Sequence, residues 1–128
     1  MKSKKIDVLI FDVGKNPVEK KIDNTLETLQ KCVHGYIECV NLSKDIVMIC
    51  NEDGKFNGSL PNRKIGNDVI FDTFVICGDT HDGDFRSLTK KEKWLVASHL
   101  WDYIDTQNLS DKELAKMREA RFELLKWY

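Results

Sequence analysis

Asn51, Asn57, Asn62 and Arg63 fall within one short stretch, NEDGKFNGSLPNR, between two strongly apolar runs. An amide head offers a donor and an acceptor side by side, suited to the edge of a base or a ribose. A guanidinium grips phosphate or carboxylate through two parallel bonds. The competing reading is self-capping, because asparagine readily bonds its own loop backbone. Arg63 could equally pair with a nearby carboxylate. Asp53-Gly54 and Asn57-Gly58 mark tight turns in either case.

Further on, GDTHDGDFRS gathers Asp79, His81, Asp82 and Asp84 beside two glycines. A calcium loop of the EF-hand type needs oxygen ligands at alternating positions and a closing glutamate. Counting from Asp79, the fifth position is Gly83 and the twelfth Lys90, so the pattern reads as a solvated acidic turn. Phe85, Arg86 and Ser87 precede a helix start, where free backbone N–H groups favour anions. The candidate ligand-binding set is therefore Asn51, Asn57, Asn62, Arg63, Phe85, Arg86 and Ser87, with Phe85 placed to stack on a base.

Catalysis finds little support. His34 precedes a glycine, His81 lies in the acidic turn and His99 on an aromatic-rich stretch, none within a nucleophile–base constellation. Phosphate-loop, zinc-protease and dinucleotide glycine patterns are missing. Cys32, Cys39, Cys50 and Cys77 are dispersed without Cys-x-x-Cys spacing, and three of them sit in apolar strand-like runs. They are expected to be inert buried thiols. No catalytic residue, metal or cofactor is expected.

Positioning these residues requires a scaffold. Twenty Lys and Arg against 21 Asp and Glu leave a formal charge of −1, without a net pull toward nucleic acid or anionic membrane. Near the C-terminus Lys112, Lys116, Arg118, Arg121 and Lys126 interleave with Asp111, Glu113, Glu119 and Glu123, the pattern of a solvated helix face. No apolar run approaches the roughly 18 residues needed to span a bilayer. Asp7 and Asp12 interrupt the apolar segment near the start, which argues against a signal peptide. A cytoplasmic protein is expected.

The apolar runs 6–13, 18–22, 36–42, 46–50 and 68–77 read as strands, the last as one long strand. Gly14 to Pro17 turns between the first two. Asn24, with Glu27 three residues on, reads as the N-cap of a helix that Gly35 ends in the left-handed region. Both alternating faces of the strands are apolar, so both should be covered, by helices or another subunit. Thr89 with Glu92 and Ser110 with Glu113 are capping-box pairs, opening helices to about Ile104 and nearly to Tyr128. The expected fold is α+β: one domain over 1–128, with an α+β core over 6–88 and a C-terminal helical hairpin over 89–128. Its sheet is small and mainly antiparallel, with one helix between strand pairs. The hairpin carries more aromatic surface than a small sheet can hide. Trp94, Leu100, Trp101, Phe122 and Trp127 are the expected contacts of a homo-oligomer, a dimer or higher.

The segments IDNTLETLQKCVHGYIECVNL, VMICNEDGKFNGSLPNR, DVIFDTFVICGD and GDFRSLT follow one another in an order that resembles a phage- and mobile-element-associated family. That family is domain of unknown function three-eight-four-six. The resemblance covers roughly residues 6 to 92, and the helical tail from Glu92 to Tyr128 departs from the usual short form. It implies an accessory protein of a phage or mobile element, with Asn51, Glu52, Gly54, Asn57, Gly58, Asn62 and Arg63 as matching positions, joined by Asp84, Phe85 and Ser87. The functional expectation is a non-enzymatic, oligomeric binding protein that counters host defence. It would sequester a small nucleotide signal or dock on a host defence protein. Nucleic-acid regulation is the alternative from a different class.

Overall fold

β-branched and aromatic runs favour extended chain, and most of the predicted strands form. The structure, a computed structural model, describes residues 4–120. A hairpin of β1 (Lys5–Phe11) and β2 (Val18–Asp23) leads into α1 (Leu26–Val33), β3 (Ile37–Asn41) and β4 (Ile46–Asn51). Then come β5 (Pro61–Ile65), β6 (Asp68–Phe71), β7 (Phe74–Asp79) and the short β8 (Phe85–Arg86). Two helices close the order, α2 (Lys90–His99) and α3 (Asp111–Glu119). The main sheet runs β2-β1-β7-β4-β3 with β8 beside the end of β7, while β5 and β6 form a second, two-stranded sheet. Every pairing is antiparallel. The architecture is the α+β arrangement expected, with one helix between strand pairs and helices at the C-terminal end.

Strand alternation gives the main sheet two apolar faces. Ile6, Val8, Ile49 and Val75 point to one, where Leu29 and Val33 of α1 cover them. Phe11, Met48, Phe74 and Ile76 point to the other, beneath Val96, Leu100 and the Ile65 and Ile70 side chains of the second sheet. The Phe11 and Phe74 rings stack there with centroids 4.8 Å apart. Both faces are thus covered from within one chain, as the two-sided apolar pattern required.

Several boundaries differ from expectation, each for a local reason. The run 68–77 is two strands, because Asp72 takes a left-handed conformation (φ 67°) and its carboxylate accepts the Thr73 N–H at 2.7 Å. β5 lies outside the expected strands, although the Gly66-Asn67 pair that follows it is a two-residue hairpin signal. Thr25, not Asn24, caps α1, and Asn24 instead donates to Asp84 and to the Phe85 carbonyl. The left-handed residue after α1 is His34 (φ 66°) rather than Gly35. Both capping boxes, Thr89 with Glu92 and Ser110 with Glu113, are formed. However, α2 stops at His99 instead of Ile104, and residues 101–106 take no regular secondary structure. Ile104 N–H then bonds the Asn62 carbonyl at 3.0 Å. The two C-terminal helices dock separately, α2 against β1 and α3 against β6. Among the described residues, no helix is long and apolar enough to cross a membrane.

Candidate functional site

The asparagine–arginine stretch does not build a ligand-reading surface. A β-bulge at Asn62 shifts the β5–β6 register between Pro61 and Arg63, so two successive side chains turn inward. Asn62 and Arg63 are completely buried. The Asn62 amide donates to the carbonyls of Phe11 and Asp72, each at 2.8 Å, and its oxygen accepts from Arg63 Nη1. Arg63 Nε donates to the Leu100 carbonyl at 2.7 Å, and Nη2 to that of Lys15 at 2.8 Å. Its guanidinium also lies over the rings of Phe11 and Tyr103. Burial pulls the Arg63 pKa down, with Asp102 opposing. No carboxylate among the described residues pairs with it, and backbone dipoles take that place.

Asn51 is buried as well, donating to the Val33 carbonyl at 3.0 Å and accepting the Asp53 N–H at 2.8 Å. Asn57 stays at the surface, where its oxygen accepts from Ser59 N. The self-capping reading therefore holds for Asn51 and Asn57, and the interior claims Asn62 and Arg63. Gly54 does not take a positive φ, and what requires glycine there is room, since a Cβ would lie 2.8 Å from the Phe71 carbonyl oxygen.

The second group is likewise engaged. Arg86 forms a two-pronged pair with Glu92 at 2.8 and 2.9 Å and also bonds the Asp45 carbonyl. It crosses directly over Gly78, where any Cβ would collide with its guanidinium. Ser87 Oγ accepts the Asp7 N–H at 2.8 Å. Phe85 packs against the α1-side core and pairs with Asp79 in the sheet. Each of the three thus already has a partner within the chain.

Each histidine has a structural partner: His34 faces Asp72 at 3.1 Å, His81 faces Asp45 at 2.8 Å, and His99 Nδ1 the Leu95 carbonyl at 2.9 Å. The four cysteines are free thiols. Burial pushes Cys50 and Cys77 up to about 12, so neither supplies a thiolate near neutral pH. Cys39 was expected to be buried; it is exposed, because β3 is the last strand of the sheet. Among the described residues, no cluster of three or more His, Cys, Asp or Glu side chains could hold a metal.

Of the expected contacts between copies, Leu100 belongs to the chain's own core, completing the face above Phe74. Trp94 is 71% and Trp101 50% exposed. Phe122 and Trp127 lie outside the described residues.

What remains open to a ligand is a set of surface grooves that differ in charge. Beside Asn51 and Phe56, three carboxylates, Glu38, Glu52 and Asp68, face Lys55 alone. Between the β3–β4 turn and α2, Lys44 and Lys91 balance Asp45 and Glu92. The groove between α1 and the β1–β2 hairpin, about 490 Å³, is different: four lysines (Lys5, Lys20, Lys21, Lys31) line it together with Asp12 and Asp23. Lys5 pairs with Asp23, Lys21 with Asp7 and Lys31 with Glu27. Lys20 has no carboxylate partner among the described residues. It acts instead on the half-buried Cys32 thiol, which burial pushes up while Lys20 opposes and Asp12 adds to the rise. Ile10 and Ile22 give the groove an apolar wall, and Thr28 and His34 line it from α1 and its C-terminal cap.

Sequence reasoning overlooked this groove, although a signal was present. Two-residue alternation places Lys20 on the same face as Ile22, the face that α1 covers, so an exposed lysine there borders the helix.

A family model described as a domain of unknown function (DUF3846) matches residues 5–99. No curated protein and no solved structure matches the chain.

Proposed function

The chain belongs to the DUF3846 family, and from that premise we propose that it is a non-enzymatic binding protein for a small phosphate-bearing molecule. The site is the groove between α1 and the β1–β2 hairpin, and its lining residues all fall within the matched span. One observation carries the reading: Lys20 stands in this groove, and among the described residues no carboxylate pairs with it, whereas the other three lysines that line it are each paired. Lys20 and Lys31 would hold phosphate oxygens, while Ile10 and Ile22 would contact a flat apolar group such as a base. The groove's volume of about 490 Å³ falls within the usual range for small-molecule sites, about 300–1,000 Å³. Buried or raised-pKa thiols and structurally occupied histidines favour binding over turnover. The setting proposed is the cytoplasm of a host cell, where a phage or mobile-element protein would sequester a nucleotide defence signal.

Titration calorimetry tests this with AMP, ADP, cyclic AMP, cyclic dinucleotides and inorganic phosphate as probes. Binding of at least one nucleotide is expected, weakening as NaCl rises because the contact is partly ionic. Lys20→Glu should weaken it by about tenfold or more, the equivalent of about 1.4 kcal/mol. Silence across the panel, or unchanged affinity in a folded Lys20→Glu protein, rules the reading out.

A further inference from the structure

The main sheet has two outer edges, and they are protected very differently. Natural edge strands are blunted by lysine, proline or a bulge, because an open row of N–H and C=O groups invites another strand. β2 carries Glu19, Lys20 and Lys21 in succession. β3 (Ile37–Asn41, IECVN) has neither lysine nor proline, and it pairs with β4 in unbroken register from Ile37 opposite Asn51 to Asn41 opposite Val47. No described strand covers its outer side.

The hydrogen bonds at the two ends of β3 reveal which of its residues face outward. Glu52 N–H bonds the Tyr36 carbonyl at 3.0 Å, and Leu42 N–H bonds the Ile46 carbonyl at 2.9 Å. In an antiparallel ladder such bonds recur on every second residue. Tyr36, Glu38, Val40 and Leu42 therefore turn their main-chain groups toward β4. Ile37, Cys39 and Asn41 turn theirs to the open side. The outward set is symmetric about Cys39.

We propose that β3 is a self-pairing edge: two copies of this chain join their β3 strands antiparallel about a two-fold axis at Cys39, making one sheet continuous across both. In that register Cys39 lies opposite the partner's Cys39, and Ile37 opposite the partner's Asn41, so every outward N–H and C=O of the strand is satisfied. On the other face Glu38 meets the partner's Val40, and Tyr36, 70% exposed in one chain, comes to lie across from the partner's Leu42, whose side chain is already buried in its own core. Neighbouring registers fare worse. Centring on Glu38 sets two carboxylates directly opposite one another, which is unfavourable in a cross-strand pair. Centring on Val40 places Ile37 against the turn at Ser43. The pairing leaves the α1 groove untouched, so it stands or falls separately from ligand binding.

The outward parity of residue 39 supplies a selective test. Proline lacks an N–H and is tolerated where that group faces solvent on an edge strand, so Cys39→Pro should spare the β3–β4 ladder. Cys39→Lys, which sets two ammonium groups together across the axis, is the second variant should proline distort the strand. Light scattering on eluting protein should find the wild type dimeric. Folded Cys39→Lys or Cys39→Pro protein, checked by circular dichroism, should run as monomer at the same concentration. A short bis-maleimide should give a covalent dimer in the wild type but none in Cys39→Ser. A monomeric wild type overturns the proposal. So does a dimer that survives folded Cys39→Lys and is lost in Trp94→Ala.

Discussion

Arg63 Nε donates to the carbonyl oxygen of Leu100 at 2.7 Å, joining the interior of the β5–β6 sheet to the last turn of α2. The same guanidinium reaches the carbonyls of Lys15 and Trp101, so one side chain holds three chain segments together. α2 ends where this cation collects its terminal carbonyls. A positive group is favourable there because helix C-terminal carbonyls carry partial negative charge.

Arg63→Met keeps the apolar volume but leaves those carbonyls without a donor. Stability measured by urea denaturation should fall by about 3 kcal/mol, the scale of several lost charge-assisted bonds in a buried site. Hydrogen exchange at Ile104, whose N–H bonds Asn62, should accelerate in the variant. Asn62→Ala should cost about 2 kcal/mol for the orphaned carbonyls of Phe11 and Asp72. The double substitution should then cost less than the sum, since the two side chains bond each other. Additive losses would mean that they act independently.

The Arg86–Glu92 pair sets an acid-sensitive contribution. The Arg86 hydrogen bonds hold the Glu92 carboxyl below its ordinary value of 4.5, with the Thr89 cap helping and burial opposing. A depressed carboxyl pKa stabilises the fold above the unfolded value, and that stabilisation disappears as pH falls through the folded value. Glu92→Gln should therefore be less stable than wild type by about 1 kcal/mol at pH 7. The two proteins should converge as pH falls well below 4.5. A gap that persists unchanged in acid would assign the loss to packing instead.

Thiol chemistry should follow burial. With a small alkylating reagent at pH 8, Cys39 is expected to label first and Cys32 more slowly. Cys50 and Cys77, both pushed up to about 12, should label only after denaturation. Peptide mass spectrometry reads the order directly. Rapid native labelling of Cys77 would contradict its place in the α1-side core.

Local signals were legible in proportion to their range. Thr89 with Glu92 and Ser110 with Glu113 satisfy each other within a single helical turn, so their roles could be read from spacing alone. The same holds for the strands with two apolar faces, whose alternation demanded cover on both sides. The end of α2 was not legible, because Arg63, 37 positions away, decides it. The long run 68–77 reads as one strand by composition, yet Asp72 turns it where the Leu60 carbonyl takes its N–H.

By itself, then, the sequence determined the α+β class, most of the strands, the starts of α2 and α3 and the family. Each depends on period, caps or motif order within a few residues. Tertiary structure decided which polar groups are available. Asn62 and Arg63 look like surface chemistry in a Gly- and Asn-rich stretch, but a bulge and distant carbonyls draw them inside. Lys20 looks like an ordinary edge-strand charge, but α1 folds over its face and leaves it lining a groove. An unmatched polar group is defined by where its partners lie in space, and adjacent residues do not encode that distance.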